Sequence, residues 1–213
     1  MSSPFSDLPQ SLQQEHVSGA KLFANRDELI RSISSERDVS AVAELGVAYG
    51  DFSAFILDTL RPSRFDAFDI FKFHEWKQIW GKSSAETLGG KTHIEYYQTR
   101  FRPQIEEGIV KIFVGDSSEK LQEQSDRFYD LIYIDGAHDL EGVRKDATAS
   151  CAKVKDDGYL VFNDYIMHDY FLNERYGVVY VVNELCTRQH WRITHFAFQQ
   201  GMFCDIALRR SAY

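Results

Sequence analysis

With 213 residues, 44% of them hydrophobic and 14% aromatic, the chain has the material for one α/β domain of ordinary size around a sizeable core. Its formal charge of −8 argues against a nucleic-acid surface, which needs clustered Lys and Arg; Arg209-Arg210 is too short a basic run to change that. No apolar run approaches the ~20 residues of a membrane span, the N-terminus has no leader-like pattern, and the scattered Cys151, Cys186 and Cys204 form no CxxC pair. A soluble protein of a reducing cytoplasm, with buried free thiols, is the expectation.

The polar first fifteen residues read as a loosely held arm, and Leu22, Phe23, Leu29, Ile30 and Ile33 predict one amphipathic helix over Gly19–Ile33. Residues 1–37 are therefore expected to be arm and helix, and 38–213 the main domain. Strand patterns follow at Val39–Leu45, Arg64–Ile70, Val110–Val114, Tyr129–Ile134 and Gly158–Phe162, with helical patterns at Asp51–Leu60, Ser117–Gln124 and Leu140–Val154. This alternation predicts a doubly wound, Rossmann-like α/β fold: a mostly parallel sheet with helices on both faces. Between Phe71 and Gly108 a long connection rich in aromatics (Trp76, Trp80, Tyr96, Tyr97, Phe101) and flanked by His74 and His93 interrupts the pattern. Such a segment is expected to be a lid or binding loop, a pair of extra helices packed on the body, or both at once. Tyr176–Arg188 reads as a helix, and Trp191–Phe198 and Met202–Arg209, joined by Gln-Gln-Gly, predict a closing antiparallel hairpin.

Open parallel sheets bind ligands beyond the carboxyl ends of their strands, so chemistry is expected there. The first strand runs into Glu44-Leu-Gly-Val-Ala-Tyr-Gly50, a glycine turn that opens a helix through Ser53. Glycine lets a ligand approach the backbone and the helix N-terminus offers free amides, while the carboxylate favours a cationic, nucleoside-like ligand over a pyrophosphate. The second strand ends in Asp69, about twenty residues on, the place of a ribose-binding acid; the alternative is a cap for the next segment. The third is followed by Gly115-Asp-Ser-Ser118, where Asp116 and Ser117 suit an adenine edge or a helix cap. The fourth and fifth end in Asp135 and in Asn163-Asp164, an all-oxygen set that suits Mg²⁺ if the two ends converge. His138, three residues past Asp135, is the candidate general base and His168 a weaker one. Arg144, Lys145 and Asp146 read as a solvated helix face.

At Glu44–Gly50 the chain resembles the first motif of class I S-adenosylmethionine-dependent methyltransferases, and Asp69, Gly115–Ser117 and the closing hairpin occupy matching places. Ile134-Asp-Gly-Ala-His138, Val143–Asp146, Asp157–Tyr165 and Tyr176-Gly-Val178 resemble the metal-dependent branch that O-methylates sugars of macrolide and aminocoumarin antibiotics. The resemblance implies a seven-stranded sheet whose last strand is antiparallel. It implies S-adenosylmethionine held by Glu44, Gly46, Tyr49, Gly50, Ser53, Asp69, Asp116, Ser117 and Asp135, and Mg²⁺ on Asp135, Asn163 and Asp164. The expected partner is a small-molecule hydroxyl acceptor, and the arm and the insertion are the segments available for self-association. Two departures stand out: Asn163 where the branch often has a second acid, and Ala137 where relatives tend to place an aspartate base. Rival readings are a metal-independent methyltransferase and a non-catalytic module retaining the fold. A nicotinamide oxidoreductase is disfavoured, since Val47 and Ala48 follow Gly46 in place of a G-x-G-x-x-G.

Overall fold

Strands buried along their whole length lie at the centre of one sheet. In the computed structural model, which describes residues 8–211, the chain begins with α1 (Gln14–Val17), β1 (Lys21–Phe23), α2 (Arg26–Glu36), β2 (Ala41–Leu45), α3 (Asp51–Leu60) and β3 (Arg64–Asp69). The insertion follows as β4 (Gln78–Ile79), β5 (Lys82–Ser83), α4 (Ser84–Thr87), α5 (His93–Arg100) and α6 (Arg102–Glu106). Then come β6 (Val110–Val114), α7 (Ser117–Gln122), β7 (Tyr129–Ile134), α8 (Leu140–Lys153) and β8 (Val154–Phe162). A small hairpin, β9 (His168–Asp169) and β10 (Glu174–Arg175), precedes α9 (Val178–Gln189), β11 (Trp191–Ala197) and β12 (Asp205–Arg210).

The large sheet has the order β1-β11-β12-β8-β7-β2-β3-β6. Every residue of β2 and β7 is buried, as expected where helices cover both faces. One core lies between the sheet and α7, α8 and α9, and a second between the sheet and α2, α3 and α5. The expected seven strands become eight, because Lys21–Phe23 leaves the predicted helix and pairs in parallel with β11. The helix starts only at Arg26, where the Asn25 side chain accepts from the Glu28 amide and fixes the first turn. The closing hairpin is antiparallel within itself, and β12 also opposes β8, so β12 alone runs against the rest. The cysteines are free thiols, with Cys186 and Cys204 buried. Among the described residues no helix is long and apolar enough to cross a membrane. The first seven residues of the expected arm lie outside the described residues.

The carboxyl ends of β6, β3, β2, β7 and β8 form one edge, tied by backbone bonds from each turn to the next strand. Gly115 N donates to Asp69 O (3.0 Å), Gly46 N to Phe68 O (2.8 Å), Asp135 N to Leu45 O (2.8 Å) and Asn163 N to Ile134 O (3.0 Å). Strand order reverses between β2 and β7, which places the crevice of the fold between Gly46 and Asp135.

Candidate active site

Gly46 stands at that crevice with φ +82°, and a Cβ built on it would lie 2.2 Å from the Asp135 carbonyl oxygen. Only glycine allows the two turns to touch. Glu44, beneath the turn, is 1% exposed and accepts a hydrogen bond from Ser53 Oγ. Burial pushes its carboxyl well above the ordinary range. The two predicted contacts therefore satisfy one another from inside the fold and support the turn from below. Tyr49 lies in an aromatic cluster with Phe73, Trp80 and Tyr96, and Gly50, φ +78°, caps α3.

Asp69 accepts from Val47 N through Oδ2 (2.9 Å) and from Phe71 N through Oδ1 (2.6 Å). It thus joins the glycine turn to the loop after β3, with one lone pair left on each oxygen. Asp116 caps α7, accepting from Ser118 Oγ (2.6 Å) and Glu119 N (3.1 Å), and the Ser118 bond holds its carboxyl low. Ser117 Oγ instead donates to Asp146 (2.6 Å). Asp146 is buried on the inner side of α8, not on a solvated face, because it falls on the same helical stripe as Val143 and Ala147.

Asp135, His138 and Asp164 do converge. His138 Nε2 lies 3.5 Å from Asp135 Oδ1 and 3.4 Å from Asp164 Oδ2, buried and without hydrogen-bond geometry to either. Its ring stacks on Tyr176 at 4.6 Å. Burial works against an imidazolium here, but the Asp135 and Asp164 carboxylates and the Asn163 side chain outweigh it and raise the His138 pKa. Burial, then the Asp135 charge, push Asp164 up to about 6. Asp164 also has φ +55°, a left-handed backbone that turns its side chain out of the β8 direction. Asn163 Nδ2 donates to Asp205 Oδ1 (3.1 Å) and Tyr133 OH (3.4 Å), which leaves its carbonyl for the His138 side. His168 sits in the small hairpin against Tyr170.

Two carboxylates and an amide oxygen around a buried nitrogen that lacks a partner suit a hard ion in ligand kind, since Mg²⁺ commonly takes one or two carboxylates and keeps waters. Among the described residues, no group of three or more His, Cys, Asp or Glu side chains forms a metal cluster.

Two site residues lie outside the sequence expectations. Arg26 reaches in from α2, its guanidinium 4.1 Å over the Phe52 ring, 3.3 Å from Tyr133 OH and 4.0 Å from Asp135. Burial opposes its charge, yet Tyr133, Asp205 and Asp135 hold its pKa above the ordinary value. Asp205 is buried beneath the cluster, accepting from Tyr133 OH (2.5 Å), Asn163 and Gln199; burial pushes it up to about 7. The available signals were an arginine in the first turn of a helix, where the dipole disfavours a cation, and a lone acid opening the apolar run of β12.

The family model described as "Methyltransferase domain" matches residues 43–165, which spans the glycine turn, Asp69, Asp135, His138 and Asp164. No curated protein matches the sequence. Among solved structures, a putative caffeoyl-CoA O-methyltransferase from Staphylococcus aureus is similar with TM-score 0.61 at 17% identity, over 86% of this chain and 82% of that one. The O-methyltransferase TomG from Streptomyces achromogenes, in complex with SAM, gives 0.60 at 14% identity, over 87% and 80%. The N-methyltransferase NodS from Bradyrhizobium japonicum, in complex with S-adenosyl-L-homocysteine, gives 0.59 at 15%, over 88% and 86%. Against an O-methyltransferase family protein from Burkholderia thailandensis the chain spans 57% of that protein's length. At such identities these likenesses establish the fold.

Proposed function

The chain belongs to the methyltransferase-domain family; from that premise we propose that it is a class I S-adenosylmethionine-dependent enzyme that methylates a hydroxyl oxygen of a small molecule, assisted by Mg²⁺ at Asp135, Asp164 and the Asn163 carbonyl. The observation that carries this reading is the meeting of Asp135, His138 and Asp164 beside the Gly46 turn, at the point where strand order reverses. S-adenosylmethionine supplies a methyl group on a sulfonium, and the ion, when bound, lowers the pKa of a coordinated hydroxyl and fixes its direction.

The chain's own residues do the remaining work. The turn from Gly46 to Gly50, tied to the β3 loop through Asp69, holds the donor, which suits a displacement whose rate depends on alignment. Ser117 and Asp116 flank the adenine end. His138 takes the hydroxyl proton at Nε2, and the Asp135 and Asp164 carboxylates stabilise the imidazolium that forms. Asp205 and Tyr133 hold the Asn163 amide with its carbonyl toward the cluster.

A second reading, metal-independent transfer, is favoured by the imidazole standing between the two carboxylates. One set of measurements separates them: calorimetric titration with S-adenosylhomocysteine, then methyl transfer to a panel of hydroxyl acceptors with EDTA or added Mg²⁺. The metal-assisted reading expects binding, EDTA-sensitive transfer, and loss of Mg²⁺-dependent thermal stabilisation in Asp164→Ala. Transfer indifferent to EDTA selects the metal-independent reading. No binding of S-adenosylhomocysteine would refute the cofactor site altogether.

A further inference from the structure

Three consecutive residues of the glycine turn are held from outside by the 71–108 insertion. His93 Nε2 lies 2.5 Å from the Ala48 carbonyl oxygen. Arg100 Nη1 donates to the Tyr49 carbonyl (2.8 Å) and pairs with Asp51 (2.6 Å) at the start of α3. Gly50 faces the Phe101 and Tyr97 rings so closely that a Cβ there would meet Phe101 at 2.6 Å and Tyr97 at 3.0 Å. The held conformation is not one this sequence adopts freely, because Ala48 has φ +46°, a left-handed value unfavourable for a residue with a Cβ.

The grip of His93 is specific. The residue is fully buried, stacks flat on Phe73 at 4.5 Å with an 8° tilt, and receives its place from the capping box at the start of α5. A carbonyl only accepts, so Nε2 must carry the hydrogen, and Nδ1 is left buried without a partner. A buried nitrogen in that condition is tolerated only if the bond on the other side of the ring is worth keeping. The Tyr49 side chain extends the hold, since Trp80, at the exposed tip of β4 and β5, meets it edge-on at 5.7 Å.

We propose that the α5–α6 part of the insertion is a buttress for the cofactor turn and not a lid over the acceptor, and that His93 and Arg100 are positioning residues for S-adenosylmethionine. They keep the strained Ala48–Gly50 backbone in its binding form before the cofactor arrives, so the cofactor does not bear the cost of ordering it. This inference rests on the cofactor reading above.

The test compares His93→Phe, which keeps the flat ring and removes the donor, with His93→Gln, whose terminal amide can reach the same carbonyl. Dissociation constants for S-adenosylhomocysteine, and KM and kcat for S-adenosylmethionine, are measured on all three proteins. The expected result is a rise of about tenfold in Kd and KM for His93→Phe, with kcat at saturating cofactor within about twofold, and recovery to within about threefold in His93→Gln. Should His93→Phe not fold, the half-exposed Arg100→Met supplies the same readout, with an expected rise of several-fold. A lowered melting temperature with unchanged Kd and KM would overturn the proposal, since that is what a purely structural contact gives. Equal loss in the Phe and Gln variants would overturn it too. If the wild type itself binds no S-adenosylhomocysteine, the function proposed above fails and this inference with it; if it binds and His93→Phe binds equally well, only the buttress fails.

Discussion

A carboxylic acid packed between a hydroxyl and a backbone turn favours its neutral form, and Asp146 shows the consequence. It accepts from Ser117 Oγ on one side, and its Oδ2 lies 3.1 Å from where a Cβ on Gly136 would stand on the other. Burial raises its pKa from 3.8 to about 6, the Ser117 bond opposing the rise. Folding therefore takes up a proton between those two values. The group's contribution to stability is fully present below about pH 3.8 and is lost as pH rises through about 6, where ionised Asp146 costs ~3 kcal/mol. Asp146→Asn keeps an acceptor for Ser117 and removes the titration. Its melting temperature should match the wild type near pH 4 and exceed it by about 5–10 °C at pH 7.5. Parallel melting curves against pH for the two proteins would show that the Asp146 carboxyl titrates as in the unfolded chain.

At the scale of elements, the contact of the β2 and β7 turns separates two penalties that glycine substitution usually mixes. Gly46 and Gly108 have nearly the same φ, +82° and +77°, but a Cβ meets the Asp135 carbonyl at the first and nothing within 4 Å at the second. Gly108→Ala should cost only the left-handed backbone, roughly 1–2 kcal/mol, or about 2–8 °C in a chain of this size. Gly46→Ala adds a clash with backbone that cannot move without parting two central strands, so a soluble folded protein is not expected from it. Comparable melting temperatures for the two variants would mean that the turns do not touch. Such elements were the legible ones. Long apolar runs such as Tyr129–Ile134 announce a strand on their own, and Asp135, His138 and Asp164 stand out because strand ends concentrate chemistry. What stayed hidden depends on distant partners. Lys21–Phe23 is three residues whose strand character comes from pairing with β11, and their apolar side chains fit a helical pattern equally well. Asp146 is buried, and Arg26 half-buried, by elements whose orientation no local pattern fixes. The roles of His93 and Arg100 required the fold itself, since each reaches 45 residues or more back along the chain.

Across the whole molecule the carboxyl edge of the sheet gathers the candidate site and the amino edge a buried, paired carboxylate. The carboxyl edge holds the left-handed Ala48, Phe71 and Asp164, the orphaned His138 nitrogen and the exposed Trp76, Trp80, Tyr170 and Phe171. The amino edge has its own left-handed residues, Arg61, Arg127 and His190, and an unpartnered buried Trp191 Nε1, but its central carboxylate is fully paired. There Asp130, 2% exposed, accepts from the Ser40 and Ala41 amides at 3.1 and 3.0 Å and pairs with Arg37 at 3.1 Å and Lys155 at 2.7 Å. Four bonds converge on one carboxylate and join α2, β2, β7 and β8 at their near ends. Both cations are partly exposed, at 22% and 37%, so water compensates part of their loss. Asp130→Asn should therefore cost about 2–3 kcal/mol, less than a fully buried pair, and lower the melting temperature by about 5–10 °C. Its Kd for S-adenosylhomocysteine should stay within about twofold of the wild type, because the parallel strands carry their carboxyl-end turns on a rigid sheet and Asp130 touches none of them. A several-fold loss of affinity in Asp130→Asn would mean that the two edges are coupled and that the crevice depends on stability supplied from the opposite end of the strands.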